Sequence, residues 1–137
     1  MAPRRPRRKF GASQKARIFL ACLPDAAAAA RIHALAQDLK AAHNLSAPLI
    51  LPEHLHVTLF HLGDWHAVPE EVVRLASDAA AQVRAAPFDV AFARAESFRN
   101  RTGIFPFVLT GDARQWSGLH APLGQALKAS GLGAATQ

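Results

Sequence analysis

The sequence holds one cysteine, Cys22, in 137 residues, so it forms no internal disulfide and a small bridge-stapled secreted scaffold is excluded. No apolar run approaches the ~18 residues that a membrane span needs, which predicts a soluble, cytoplasmic protein. Large hydrophobic side chains are scarcer than an apolar content of 50% implies, because 30 of the 69 apolar residues are alanine. The 39 that remain can fill the core of one modest domain. With 19% charged residues and large apolar side chains along the whole length, the chain is not globally disordered.

Acidic residues are absent from the first nine positions, where Arg4, Arg5, Arg7, Arg8 and Lys9 lie. The net charge of +6 is therefore mostly local: beyond residue 9, eleven basic groups face ten acidic ones. Residues 1–16 read as a basic arm too proline-rich and self-repelling to fold, which either meets polyanions by electrostatics or serves as a solubilising extension. Its Arg7-Arg8-Lys9-Phe10 resembles a twin-arginine export signal. The apolar stretch such a signal needs is interrupted by Lys15 and Arg17 and ended by Pro24 and Asp25.

From residue 17 onward the patterning predicts alternating strands and helices. Residues 17–23 form an apolar run ended by Pro24, a buried strand. Asp25 offers an N-cap to an alanine-rich helix whose stripe is Ile32, Leu35 and Leu39. A second strand is expected over 54–62, closed by Gly63 and Asp64. Pro69, Glu70 and Glu71 open a second helix with Val72, Ala76, Ala79 and Val83 on its buried side. Alternation of Phe88, Val90 and Phe92 predicts a strand over 88–98. Asn100 to Gly103 then turns the chain into a hairpin partner over 104–110, which Pro106 confines to an edge or a bulge. Trp116, Leu119, Leu123 and Leu127 follow a helical period that Pro122 starts or kinks. Gly131 and Gly133 end that helix, where a further strand is expected, so the pattern reads as interrupted.

The densest polar cluster is HLHVTLFHLGDWH, residues 54–66, with four of the seven histidines. On a regular strand His54, His56, Thr58 and Phe60 share one face, while Leu55, Val57 and Leu59 share the other. His56 and Thr58 then stand about 7 Å apart. That pair suits anion chemistry, since an imidazole donates or accepts a proton near neutral pH and a hydroxyl can hold a phosphate oxygen.

The HVTL of residues 56–59, preceded by R-x-F-L-A at Arg17 to Ala21 and followed by F-H-L-G-D at Phe60 to Asp64, resembles the 2H phosphoesterase superfamily. Within it the chain is most similar to the LigT-like RNA 2′,3′-cyclic phosphodiesterases, also called 2′-5′ RNA ligases. F-D-V-A-F near Phe88, P-F-V-L-T-G at Pro106 to Gly111 and the Leu119, Leu123, Leu127 helix fall in that family's order, so the likeness covers residues 17–133. The resemblance implies an α+β, bilobed LigT-like fold over residues 17–137, with antiparallel sheets flanked by helices. It also implies a metal-independent, cofactor-free hydrolase that opens RNA 2′,3′-cyclic phosphate ends to 2′-phosphates, with ligation as a reverse activity. Its partners would be RNA termini or small cyclic nucleotides. His56 matches the proton donor of the first His-x-Thr-x motif and Thr58 its phosphate-positioning partner. No other histidine is followed two residues later by threonine. In the family the second motif follows the last helix, so the chain is expected to be a truncated copy lacking its last strands, with half an active site and little turnover.

Two other readings use the same residues. A zinc hydrolase would draw ligands from His54, His56, His61, Asp64 and His66, but a regular strand turns His61 to the face opposite His56. A non-catalytic or vestigial RNA-binding protein would use Arg99 and Arg101 beside Phe98 and Phe105 to contact a backbone and stack on bases. Cys22, within an apolar strand, reads as an inert thiol.

Overall fold

The computed structural model describes residues 15–97 and 107–136. The architecture is mixed α+β, and the chain divides into two compact units, residues 1–70 and 71–137.

In the first unit, strand β1 (Ala16–Cys22) pairs antiparallel with β2 (Val57–Trp65), and helix α1 (Ala26–Ala42) lies between them in sequence. Asp25 caps α1 as its position predicts, its carboxylate accepting from the Ala28 N–H at 2.7 Å. The helix ends on Asn44, which adopts φ 53°; the Asn44 N–H donates to Ala41 and the Leu45 N–H to Lys40. That is a Schellman closure with asparagine in the left-handed position. Strand β2 starts three residues later than expected. Pro52 opens a short 3-10 turn, Pro52–His54, in which the His54 N–H donates to the Leu51 carbonyl, so His54 and His56 precede the strand.

Strand β2 is also irregular. Ile18 pairs with Gly63 and Phe19 with His61, so Leu62 is an extra residue; Leu20 pairs with Phe60 and Ala21 with Thr58, so Leu59 is another. Each β-bulge resets the alternation of side chains. Gly63, expected to end the strand, lies within it at φ 141°, and a Cβ there would meet Trp65 Cη2 at 2.7 Å. The bulges turn Phe60 to the buried side, only 7% exposed, and leave Thr58, His61 and Asp64 exposed.

In the second unit, helix α2 (Glu70–Gln82) buries Ala76 and Ala79 and half-buries Val72, the side its periodicity predicts, and Val83, expected within the helix, follows its last residue and is half-buried. Strand β3 (Arg94–Ser97) pairs antiparallel with β4 (Phe107–Thr110). The expected strand from 88 is therefore shorter, and Phe88, Val90 and Phe92 are exposed. Residues 88–92 have no strand partner among the described residues. Gln115 substitutes for one: its Oε1 accepts from the Ala91 N–H at 2.8 Å and its Nε2 donates to the Ala91 carbonyl at 3.0 Å. The turn expected at Asn100 to Gly103 lies outside the described residues. Helix α3 (Ser117–Ala129) carries Pro122 inside it and supplies the buried Leu123 and Leu127. After α3 comes a Schellman closure at Gly131, φ 90°, with Leu132 N–H on Leu127 and Gly131 N–H on Lys128. A short 3-10 turn, Gly133–Thr136, follows it.

Candidate functional site

The site is built on one face of the β1–β2 ribbon. Strand β1 alternates regularly, so Arg17, Phe19 and Ala21 share a face, and their cross-strand partners are Asp64, His61 and Thr58. Directly paired residues project to the same side of a ladder, which gathers six side chains on that face. His56 joins them: its ring lies 5.1 Å from the Phe19 ring, tilted by 36°. His61 is thus on the His56 side, not opposite it. The bulge at Leu59, which lies between the two histidines, accounts for the reversal.

His56 follows the Pro52–His54 turn, and that turn orients it. Its Nδ1 lies 2.7 Å from the His54 carbonyl oxygen. A carbonyl only accepts, so Nδ1 carries the proton and Nε2 points away with the free lone pair in the neutral ring. The cation keeps the same bond and adds a donor at Nε2. Thr58, two residues on, is exposed on the same face.

At the other end of the ribbon Asp64 is shared. Arg17 Nε donates to Asp64 Oδ1 at 3.1 Å and Arg17 Nη2 to Oδ2 at 3.4 Å, while His61 Nε2 donates to Oδ1 at 3.2 Å. Hydrogen bonds first from Arg17 and then from His61 hold the Asp64 carboxyl below its usual range, and Asp64 in turn raises the Arg17 guanidinium. The periodicity reading missed this network. Its signal was the R-x-F and G-D ends of two strands that pair, legible only once the register is known.

The other candidates are placed as follows. Among the described residues no three His, Cys, Asp or Glu side chains gather as metal ligands, so the five zinc donors named from sequence do not converge; His61 and Asp64 meet as a pair. Arg99, Arg101 and Phe98 lie outside the described residues, as do Phe105 and most of the basic arm. Cys22 is half-buried, and desolvation pushes its thiol up, away from nucleophilic chemistry. A shallow groove of about 580 Å³ runs along the end of α1, lined by His33, Lys40, Asn44 and Leu49, and includes neither His56 nor Thr58.

What this face offers chemically is an oriented imidazole beside a hydroxyl, the means to handle a phosphate ester. A family model described as LigT-like phosphoesterase matches residues 23–108, a span that contains α1, the His56 turn, β2 and α2. The chain belongs to the LigT-like phosphoesterase family. No curated protein and no solved structure matches it significantly.

Proposed function

We propose that the protein acts on RNA 2′,3′-cyclic phosphate ends, with His56 as the proton donor and Thr58 steadying the phosphate. The observation that supports this reading is the 2.7 Å bond from His56 Nδ1 to the His54 carbonyl, which occupies Nδ1 and leaves Nε2 as the ring atom to exchange a proton with the substrate. In the reaction, water attacks phosphorus and the bond to the 3′ oxygen breaks. The protonated His56 gives its Nε2 proton to that oxygen and returns to the neutral ring with Nδ1 still bonded to His54. The product is a 2′-phosphate. The choice of RNA ends, the site of cleavage and ligation as a reverse activity rest on the family likeness, as does the independence from metal.

The proton released by water goes to a base other than His56, the part played in the family by a second His-x-Thr. The 137 residues contain one such motif, at 56–58, so we expect slow turnover by this chain alone. A positioned acid contributes roughly 10²- to 10⁴-fold. Hydrolysis of a 2′,3′-cyclic nucleotide, followed by phosphorus NMR, is therefore expected to fall at least about 10²-fold in His56→Ala and to yield the 2′-phosphate. Thr58→Ala is expected to lose affinity for the phosphate. Turnover that survives His56→Ala unchanged contradicts the reading.

A further inference from the structure

His61 is a second imidazole on the face of His56 and Thr58, and the bulge at Leu59 places it there. Along the chain the order is His56, Thr58, His61, with the hydroxyl residue between the two rings. Thr58 pairs with Ala21 and His61 with Phe19, neighbouring positions on one side of β1, which sets them about 7 Å apart. Phe19 is the common neighbour of both imidazoles: His61 is its cross-strand partner, and the His56 ring lies 5.1 Å from its ring.

The two imidazoles are held by different nitrogens. His56 is bonded through Nδ1 to a carbonyl, which leaves Nε2. His61 is bonded through Nε2 to the Asp64 carboxylate at 3.2 Å, which leaves Nδ1. A carboxylate only accepts, so the neutral His61 ring carries its proton on Nε2 and a lone pair on Nδ1. Asp64 is itself fixed by Arg17, whose Nε donates to Oδ1 at 3.1 Å and Nη2 to Oδ2 at 3.4 Å. A base whose far nitrogen donates to an anchored carboxylate is oriented, and its cation is stabilised where it forms. The His61 side chain is 51% exposed, so solvent reaches it and can carry its proton away.

We propose that His61 is the general base of this site: its Nδ1 takes the proton of the attacking water while His56 gives one to the leaving oxygen, with Asp64 and Arg17 as the residues that position it. This rests on the phosphate reading of His56 and Thr58 and names the base that the reading leaves open. As the water oxygen bonds to phosphorus, its proton passes to His61 Nδ1. As the bond from phosphorus to the 3′ oxygen breaks, the electron pair stays with that oxygen and the Nε2 proton of His56 follows. His61 ends as a cation beside Asp64 and His56 as the neutral ring, and exchange with solvent resets both. His61 brings no threonine of its own, since Leu62 and Gly63 follow it, so turnover stays slow.

The test is hydrolysis of uridine 2′,3′-cyclic phosphate from about pH 5 to 9, followed by phosphorus NMR, in the wild-type chain, His61→Ala, His61→Gln, Asp64→Asn and His56→Ala. The groups that face His61 are Asp64 and His56 on its own side of the turn and Arg17 on β1, so each histidine is removed in turn to tell the two limbs apart. A base must be neutral and an acid protonated, so wild-type kcat/KM is expected to rise on the acid side and fall on the alkaline side. Both His61 variants are expected to lose at least about 10²-fold in kcat/KM and to lose the acid-side rise while keeping the alkaline fall. His56→Ala is expected to keep the rise and lose the fall. Asp64→Asn is expected to lower kcat with KM unchanged and the rise intact. A rate that His61→Ala leaves unchanged, or a loss in the His61 variants with both limbs intact, which makes His61 a structural support, overturns the proposal and leaves the phosphate reading standing on a slow His56→Ala. Turnover indifferent to His56→Ala, or none in the wild-type chain, overturns the phosphate reading and this proposal with it.

Discussion

His56 and Asp64 show how single residues on this face are set by what they touch. His56 takes its tautomer from a backbone carbonyl two residues earlier, and so depends on the turn that Pro52 starts. Asp64 depends on Arg17 across the ladder and on His61 three residues before it. Because its folded pKa lies below the unfolded one, the stability Asp64 contributes is present above the ordinary carboxylate range near pH 4 and is lost as pH falls through the lowered value. Urea midpoints measured from pH 2 to 6 are expected to rise with pH, and Asp64→Asn is expected to flatten part of that rise. A variant with the full wild-type pH dependence would show that the Arg17 network does not stabilise the fold. Gly63 is the other sensitive position. Its φ of 141° and the 2.7 Å approach to Trp65 leave no room for a methyl, so Gly63→Ala is expected to cost about 1–3 kcal/mol in thermal or urea unfolding.

Elements that announce themselves locally were legible in the sequence. Helix α1 follows from Asp25 and the alanine run, and α2 from Pro69, Glu70 and the Val72, Ala76, Ala79, Val83 stripe, because capping and a 3.6-residue period are written within a few residues. The face of β2 was not legible. A strict alternation assumes an even ladder, and whether Leu59 and Leu62 bulge is decided by pairing with β1, some forty residues away. His56 and Thr58 were assigned to one face correctly because both precede the first bulge, whereas Phe60 and His61 follow it and are inverted. The segment 88–92 failed for a related reason: alternation signals an extended chain but does not supply a partner strand, and here a side-chain amide takes that place. Removing it by Gln115→Ala is expected to speed hydrogen exchange at Ala91 and to cost about 1–2 kcal/mol, one unit per bond. Unchanged exchange at Ala91 would mean that the segment is held by other contacts.

At the scale of the whole molecule, the family and the α+β class were readable from a four-residue motif and its flanking strands, and the family model covers residues 23–108. Among the described residues no helix is long and apolar enough to cross a membrane. The scarcity of large apolar residues reappears as a thin core: among the described residues alanines make up four of the seven buried hydrophobic positions, with Phe60 in the first unit and Leu123 and Leu127 in the second.

The central claim is that His56, locked with its proton on Nδ1, meets the phosphate through Nε2. Nitrogen-detected NMR of the histidine side chains during titration with adenosine 2′-monophosphate tests it most directly. The neutral His56 ring is predicted to be protonated at Nδ1 in the free protein, and the nucleotide to perturb Nε2 of His56 while leaving His33 and His120 unmoved. A free ring protonated at Nε2, or a titration that passes His56 by, would contradict it.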